Sequence, residues 1–320
     1  MKKGLVLGGG GLVGMGYHAG VLKALQEAGL EPAAADVIVG TSAGAIMAAY
    51  LTSGRTADQL YQDALGQGPA DVSAPEAFEA DVRALFTPLW SNNSERLRRL
   101  GGGLFAYLAA TGSWARVAGS KVPGRRLRAR FPAGLYSTSA TEQRLRAELP
   151  AQWPRNDLYL AAVELYSGRR VALNSANTPP SSFVTAVLAS AAIPGVFPPV
   201  RLRGRYYVDG GVAGRVSLDE AVRRGCSHIT LVAPLGWRPE EGVRTLSSDL
   251  WRPVLARSLN ARTINREIIA ARAQGVKVLV LRPWLDELMV HGYNAMAHHD
   301  RAAVVEAARR NTMTVLEAQV

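Results

Sequence analysis

Twice near its start the chain runs a short apolar stretch into a glycine-rich turn and out into a helix. Residues 4–7 lead into Gly8-Gly9-Gly10-Gly11-Leu12-Val13-Gly14, and Tyr17, Val21, Leu22, Leu25 and Ala28 then mark a helical stripe that stops at Gly29. Residues 36–39 lead into Gly40-Thr41-Ser42-Ala43-Gly44, followed by small and apolar residues over 45–51. The apolar runs are too short for helices and are bounded by turn residues, so they read as buried strands. Strand–loop–helix repeated in this way calls for a parallel sheet covered by helices. With 320 residues, 48% of them hydrophobic, the chain can bury such a core.

The same grammar returns later. Strands are expected over 158–163, 171–173, 206–208, 228–232 and 276–281, and helices over 182–192, 218–224 and 299–318. Between about 66 and 156 the regularity fails. Phe78, Leu85, Phe86, Leu89 and Trp90 form one apolar cluster there, and Leu104, Phe105, Tyr107, Leu108 and Trp114 another. These serve either as the insertion's own small core or as a lid and acyl-chain wall. The expected organisation is one domain over 1–320, with a cap segment inserted at about 66–156 and a helical extension at about 285–320.

Net charge is +11, and residues 79–148 carry 12 basic against 5 acidic residues. A basic surface is expected there, suited to anionic lipid; nucleic acid has no motif behind it. The single cysteine, Cys226, allows no disulfide within the chain, as suits a reducing compartment. No apolar run reaches the roughly 18 residues needed to span a bilayer. The N-terminus imitates a secretory signal, but glycines break its apolar segment. These features together lead to the expectation of a cytoplasmic protein with peripheral contact at the inner membrane face.

Gly-x-Ser-x-Gly between a strand and a helix is the setting of a nucleophile elbow; the competing reading is a tight turn whose serine caps the helix. The glycine loop also fits a dinucleotide fingerprint, with Asp36 as the ribose-binding acid. Position argues against it. Asp36 begins the second strand, whereas Gly40 and Ser42 end it, so the glycine loop and Ser42 leave the same edge of the sheet. Backbone amides would then lie near the serine oxygen, as an oxyanion hole requires. No motif surrounds any of the five histidines, His18, His228, His291, His298 and His299. Asp209 ends a strand at the same presumed edge, and Gly210-Gly211 allow close backbone approach after it. Residues 193–200 offer an apolar wall that would raise the basicity of such a carboxylate.

These blocks resemble the patatin-like phospholipase family. The likeness rests on residues 4–11, on Gly40-Thr41-Ser42-Ala43-Gly44-Ala45, on residues 189–199 and on Val208-Asp209-Gly210-Gly211, in the family's order. It implies a three-layer α/β/α fold with a mainly parallel central sheet and a helical insertion. It also implies a Ser–Asp dyad without histidine: Ser42 as nucleophile, Asp209 as base, and the amides of Gly9, Gly10 and Gly11 as the oxyanion hole. Gly14, Gly40, Gly44, Gly210 and Gly211 would shape the surrounding turns. The implied substrate is a lipid or other acyl ester, with no cofactor and no metal. Two departures stand out. Val13 replaces the family's usual Arg or Lys, and Gly214-Arg215-Val216-Ser217 replaces the usual Asn-x-Pro. The first admits an alternative, a weak or inactive lipid-binding or regulatory module.

Overall fold

A computed structural model describes residues 1–67, 83–111, 133–237, 251–296 and 300–318. In chain order the strands are β1 (Lys3–Leu7), β2 (Val37–Thr41), β3 (Leu158–Glu164), β4 (Arg170–Leu173), β5 (Val200–Leu202), β6 (Arg205–Asp209), β7 (His228–Val232) and β8 (Lys277–Leu281). The α-helices are α1 (Gly11–Glu27), α2 (Ala43–Thr52), α3 (Ala57–Leu65), α4 (Asn93–Ala110), α5 (Ser139–Glu148), α6 (Phe183–Ala191), α7 (Leu218–Arg223), α8 (Trp251–Ala273), α9 (Leu285–His291) and α10 (Arg301–Glu317). The architecture is mixed α/β, with a mainly parallel central sheet flanked by helices. The chain divides into two compact units: Met1–Pro75, Asp157–Tyr159 and Gly214–Val320 form the first, and Glu76–Asn156 and Leu160–Ala213 the second.

In the first unit four parallel strands lie in the order β2-β1-β7-β8. Burial on both faces of β1 and β2 explains their near-continuous apolar runs. From β1 the chain steps through α1 to β2 on one side; from β7 it steps through α8 to β8 on the other. Right-handed crossovers in opposite directions place α1 and α8 on opposite faces of the sheet. Helices α2, α3 and α10 pack with α1, and α7 packs beside α8. The winding reverses between β1 and β7, so a crevice opens at their C-terminal ends. The glycine loop leaves β1 at that point.

Helix α8 has no counterpart among the elements expected from sequence. Its buried residues are Val254, Arg257, Ala261, Ile264, Ile268 and Ala271, a regular helical stripe. An arginine interrupts that stripe, and Leu255, Leu259 and Ile269 are exposed on the other side. Both features blur the period.

The second unit is antiparallel. β5 pairs with β6, β6 with β3, and β3 with β4. Helix α6 packs on β5 and β6. Helix α4 presents Ala106, Ala109 and Ala110 to Val163, Leu165 and Val208. Small residues bring its backbone close to its neighbours: a Cβ on Gly103 would lie 2.5 Å from the Cα of Gly195. Phe86 and Trp90 meet Tyr136 edge-on, with centroids 5.2 and 5.5 Å apart, all three rings half-buried. Of the second expected cluster, Phe105 and Leu108 are half-buried. Leu104 and Tyr107 are exposed, because α4 buries its small residues rather than its large ones. Phe78 and Trp114 lie outside the described residues.

Candidate active site

Residues 37–41 are fully enclosed, and the chain then turns sharply at Ser42. Ser42 has φ 55° and ψ −121°, a conformation that costs a residue with a Cβ of order 1–3 kcal/mol. The surrounding glycines enforce it. A Cβ on Gly40 would sit 2.6 Å from the Cα of Ala45, and one on Gly44 would sit 2.1 Å from the carbonyl oxygen of Leu7. Only glycine lets the first turn of α2 fold back over the end of β2 and rest against the end of β1. The Ser42 hydroxyl does not cap α2. This removes the capping-serine reading and leaves a sharp, strained strand-to-helix turn.

The glycine loop runs beside it. Gly8 N–H donates to the Val232 carbonyl at 2.9 Å, and Gly9 N–H to the Arg215 carbonyl at 3.0 Å. A Cβ on Gly9 would lie 3.4 Å from that of Ser42. Gly10 is pressed against Gly14 and Pro234, and Gly11, at φ +61°, against the carbonyl of Ala295. Val13 N–H donates to that same carbonyl at 3.1 Å, and the Val13 side chain is buried. The Gly9 amide is therefore already engaged. Gly10 and Gly11 open the first turn of α1, where amides lack intrahelical acceptors and the helix dipole favours negative charge. The dinucleotide reading finds no footing: Asp36 accepts the Lys3 N–H at 2.6 Å, at the opposite edge of the sheet.

Sequence reasoning treated residues 214–217 only as a departure, yet they brace this loop. The Arg215 carbonyl holds Gly9, and Val216 lies where a Cβ on Gly8 would meet it at 2.8 Å. Ser217, at φ 56°, accepts a hydrogen bond from Thr41 at 3.2 Å. All three roles depend on partners distant in sequence, two of them on backbone atoms, so no motif announces them.

His18 is fully buried, with Nε2 2.8 Å from the Gly8 carbonyl. A carbonyl only accepts, so Nε2 carries the proton. Burial lowers the His18 pKa to about 4. The ring thus acts as a neutral strut under the glycine loop. The unfolded chain takes up this proton below about pH 6.5, whereas the folded protein resists it until about pH 4. Stability is consequently expected to fall by ~3 kcal/mol as pH drops through that window. His291, also held low by burial, adds to the slope. Thermal melts between pH 7 and 4 check this: His18→Asn should flatten the dependence, and an unchanged slope would contradict it.

Of the other histidines, His228 lies at the start of β7 with Nδ1 3.2 Å from the Ser227 hydroxyl, and His291 Nδ1 accepts from Arg257. His298 and His299 lie outside the described residues.

Asp209 belongs to the second unit, where it ends β6 almost wholly buried. Its N–H donates to the Ala192 carbonyl at 2.9 Å, and its Oδ1 accepts the Gly211 N–H at 2.7 Å. A Cβ on Gly210 would lie 2.4 Å from the Ala161 carbonyl oxygen, so the Asp-Gly-Gly turn is pressed onto β3. Ser190 donates to that same carbonyl at 2.6 Å. The block over 189–199 thus helps fix the acid through Ser190 and the Ala192 carbonyl. Among the described residues no group of three or more His, Cys, Asp or Glu could hold a metal ion.

A mixed α/β sheet carrying a strained serine at a strand-to-helix turn defines the class of protein. The sequence profile described as patatin-like phospholipase matches residues 5–222, and the chain belongs to that family of lipid acyl hydrolases. Among solved structures it is similar to VipD from Legionella pneumophila, at 16% identity and a TM-score of 0.47 over 99% of this chain and 67% of that one. It is also similar to the type III effector protein ExoU, at 15% identity and a TM-score of 0.42 over 99% of this chain and 53% of that one. No curated protein matches.

Proposed function

We propose that the chain is a carboxylic ester hydrolase of phospholipase A or lysophospholipase type, acting through an acyl-enzyme on Ser42. The observation that carries this reading is the forced backbone of Ser42 beside the glycine loop. In the proposed reaction the Ser42 oxygen attacks the ester carbonyl carbon and its proton passes to the Asp209 carboxylate. The amides of Gly10 and Gly11 hold the resulting oxyanion. The tetrahedral intermediate collapses, the bond to the alcohol or lysolipid breaks, and Asp209 returns the proton to that leaving oxygen. Water then gives a proton to Asp209 and attacks the acyl carbon. When the second intermediate collapses, the acyl–Ser42 bond breaks, the proton goes back to Ser42, and the fatty acid leaves. The Gly211 N–H on Oδ1 fixes the plane of the carboxylate for these transfers.

A fluorophosphonate probe tests the reading. It should label the folded protein and fail to label Ser42→Ala. Folded wild-type protein that resists labelling would instead favour the lipid-binding module that Val13 suggests.

The substrate class also calls for contact with a lipid surface, and we assign that contact to α4. Leu97 (68% exposed), Leu100, Leu104 (61%) and Tyr107 share one side of this helix, opposite its buried glycines and alanines. Arg96 and Arg98 are exposed alongside. An apolar stripe with cationic flanks suits a helix lying in the headgroup region of an anionic bilayer, where each cation adds about 1 kcal/mol. No described helix is long and apolar enough to cross a membrane. Sedimentation with vesicles of phosphatidylcholine, with and without phosphatidylglycerol, checks the assignment at two salt concentrations. Binding should need the anionic lipid, weaken with salt and be lost in Leu100→Glu/Leu104→Glu. Equal sedimentation of variant and wild type would refute it.

A further inference from the structure

Arg257 lies in the buried stripe of α8 and is only 5% exposed. A guanidinium taken out of water costs several kcal/mol unless its donors are satisfied. Its two described hydrogen bonds go to neutral acceptors: Nη1 donates to the Pro234 carbonyl, and Nη2 to His291 Nδ1 at 3.2 Å. The buried carboxyl of Glu287, whose Oε2 accepts the Trp284 N–H at 2.7 Å, acts on Arg257 through its field alone, with no hydrogen bond between them. Both targets of Arg257 lead to the glycine loop. Pro234 follows β7, and its ring occupies the space into which a Cβ on Gly10 or Gly14 would project, 2.8 and 3.4 Å away. A proline has no N–H, so its carbonyl is the one backbone group by which position 234 can be held. Arg257 takes that carbonyl. On its other side His291 meets the ring of Tyr17, edge-on with centroids 5.6 Å apart. Tyr17 stands on α1, the helix whose first turn carries Gly11.

We propose that Arg257 is a positioning residue for the oxyanion loop, bracing Gly10 through Pro234 and α1 through His291 and Tyr17. The inference rests on the hydrolase reading above. Its cost supports it: an arginine buried in a core with only neutral hydrogen-bond acceptors is a poor stabiliser compared with an apolar side chain of similar volume.

The test compares Arg257→Met, which keeps the stem and removes the donors, with Arg257→Lys. It measures the rate of fluorophosphonate labelling of Ser42 and the kcat and KM for a p-nitrophenyl butyrate substrate, with thermal melts to establish folding. Arg257→Met should lose about 10- to 100-fold in kcat and in labelling rate, as expected of a misplaced catalytic donor, at nearly unchanged KM. Arg257→Lys, which retains one donor, should recover part of the loss. Should Arg257→Met fail to fold, the cycle of Arg257→Lys with Pro234→Ala decides. The two effects on kcat should be strongly non-additive, because Pro234→Ala removes the ring through which the Arg257-held segment bears on Gly10. Additive effects, or full-rate labelling of folded Arg257→Met, overturn the inference and leave the hydrolase reading standing. Wild-type protein that does not label overturns both.

Discussion

Alanine at position 42 is expected to abolish turnover, with a loss of ~10⁴-fold or more in kcat, and Asp209→Asn should cost nearly as much. The two losses differ in origin. Without the Ser42 oxygen no acyl-enzyme forms. Asp209→Asn keeps an oxygen able to accept the Gly211 N–H, so the turn at 209–211 can survive, but the group can no longer take a proton. The double variant should then be no worse than either single one, since residues that act as a unit are not additive. Hydrolysis of a chromogenic ester, read alongside thermal melts, separates this from unfolding. Full activity in Asp209→Asn would remove Asp209 as the base, and turnover surviving in Ser42→Ala would remove the acyl-enzyme.

Gly44→Ala is expected to be the most damaging small substitution in the first unit. The added carbon would meet the Leu7 carbonyl oxygen at 2.1 Å, its carbon at 2.4 Å and the Gly8 oxygen at 2.7 Å. All three are backbone atoms at the end of a central strand, and none can swing aside. Helix α2 must retreat, taking Ser42 with it. A cost of ~3 kcal/mol or more follows, lowering Tm by about 5 °C in a protein of this size, with loss of labelling. Gly29→Ala is the control. Its φ is also positive, +75°, but nothing lies within 4 Å. That variant should lose only the ~1 kcal/mol of a left-handed alanine. Melting curves for the pair test the argument, and similar Tm values would defeat it.

What could be read from the sequence was what sterics dictate locally. Gly40, Gly44 and Gly210 each face a backbone atom closer than any Cβ tolerates, so their identities mark the turns directly. Strands β1, β2 and β3 announced themselves because burial on both faces leaves a nearly unbroken apolar run. What stayed hidden was non-local. Nothing in residues 228–232 says that they pair with β1, nor does residue 215 reveal that its carbonyl binds Gly9. Helix α8 was concealed by the arginine in its buried stripe. Helix α4 hid its packing face for the opposite reason: its large side chains make a conspicuous apolar cluster, open to reading as a small core or as an acyl-chain wall, whereas Gly102, Gly103 and Ala106 are among the residues that pack.

Gly44 seats the first turn of α2 on the last carbonyls of β1, and Gly10 seats the first turn of α1 on Pro234. Neither contact contains a long side chain that could change rotamer. Parts joined in this manner share one calibration. Warming, or a substitution elsewhere in the sheet, would carry hydroxyl and amides along together and preserve the gap between them. Peptide dimensions thus fix that gap, and sequence drift on the outer surface leaves it intact.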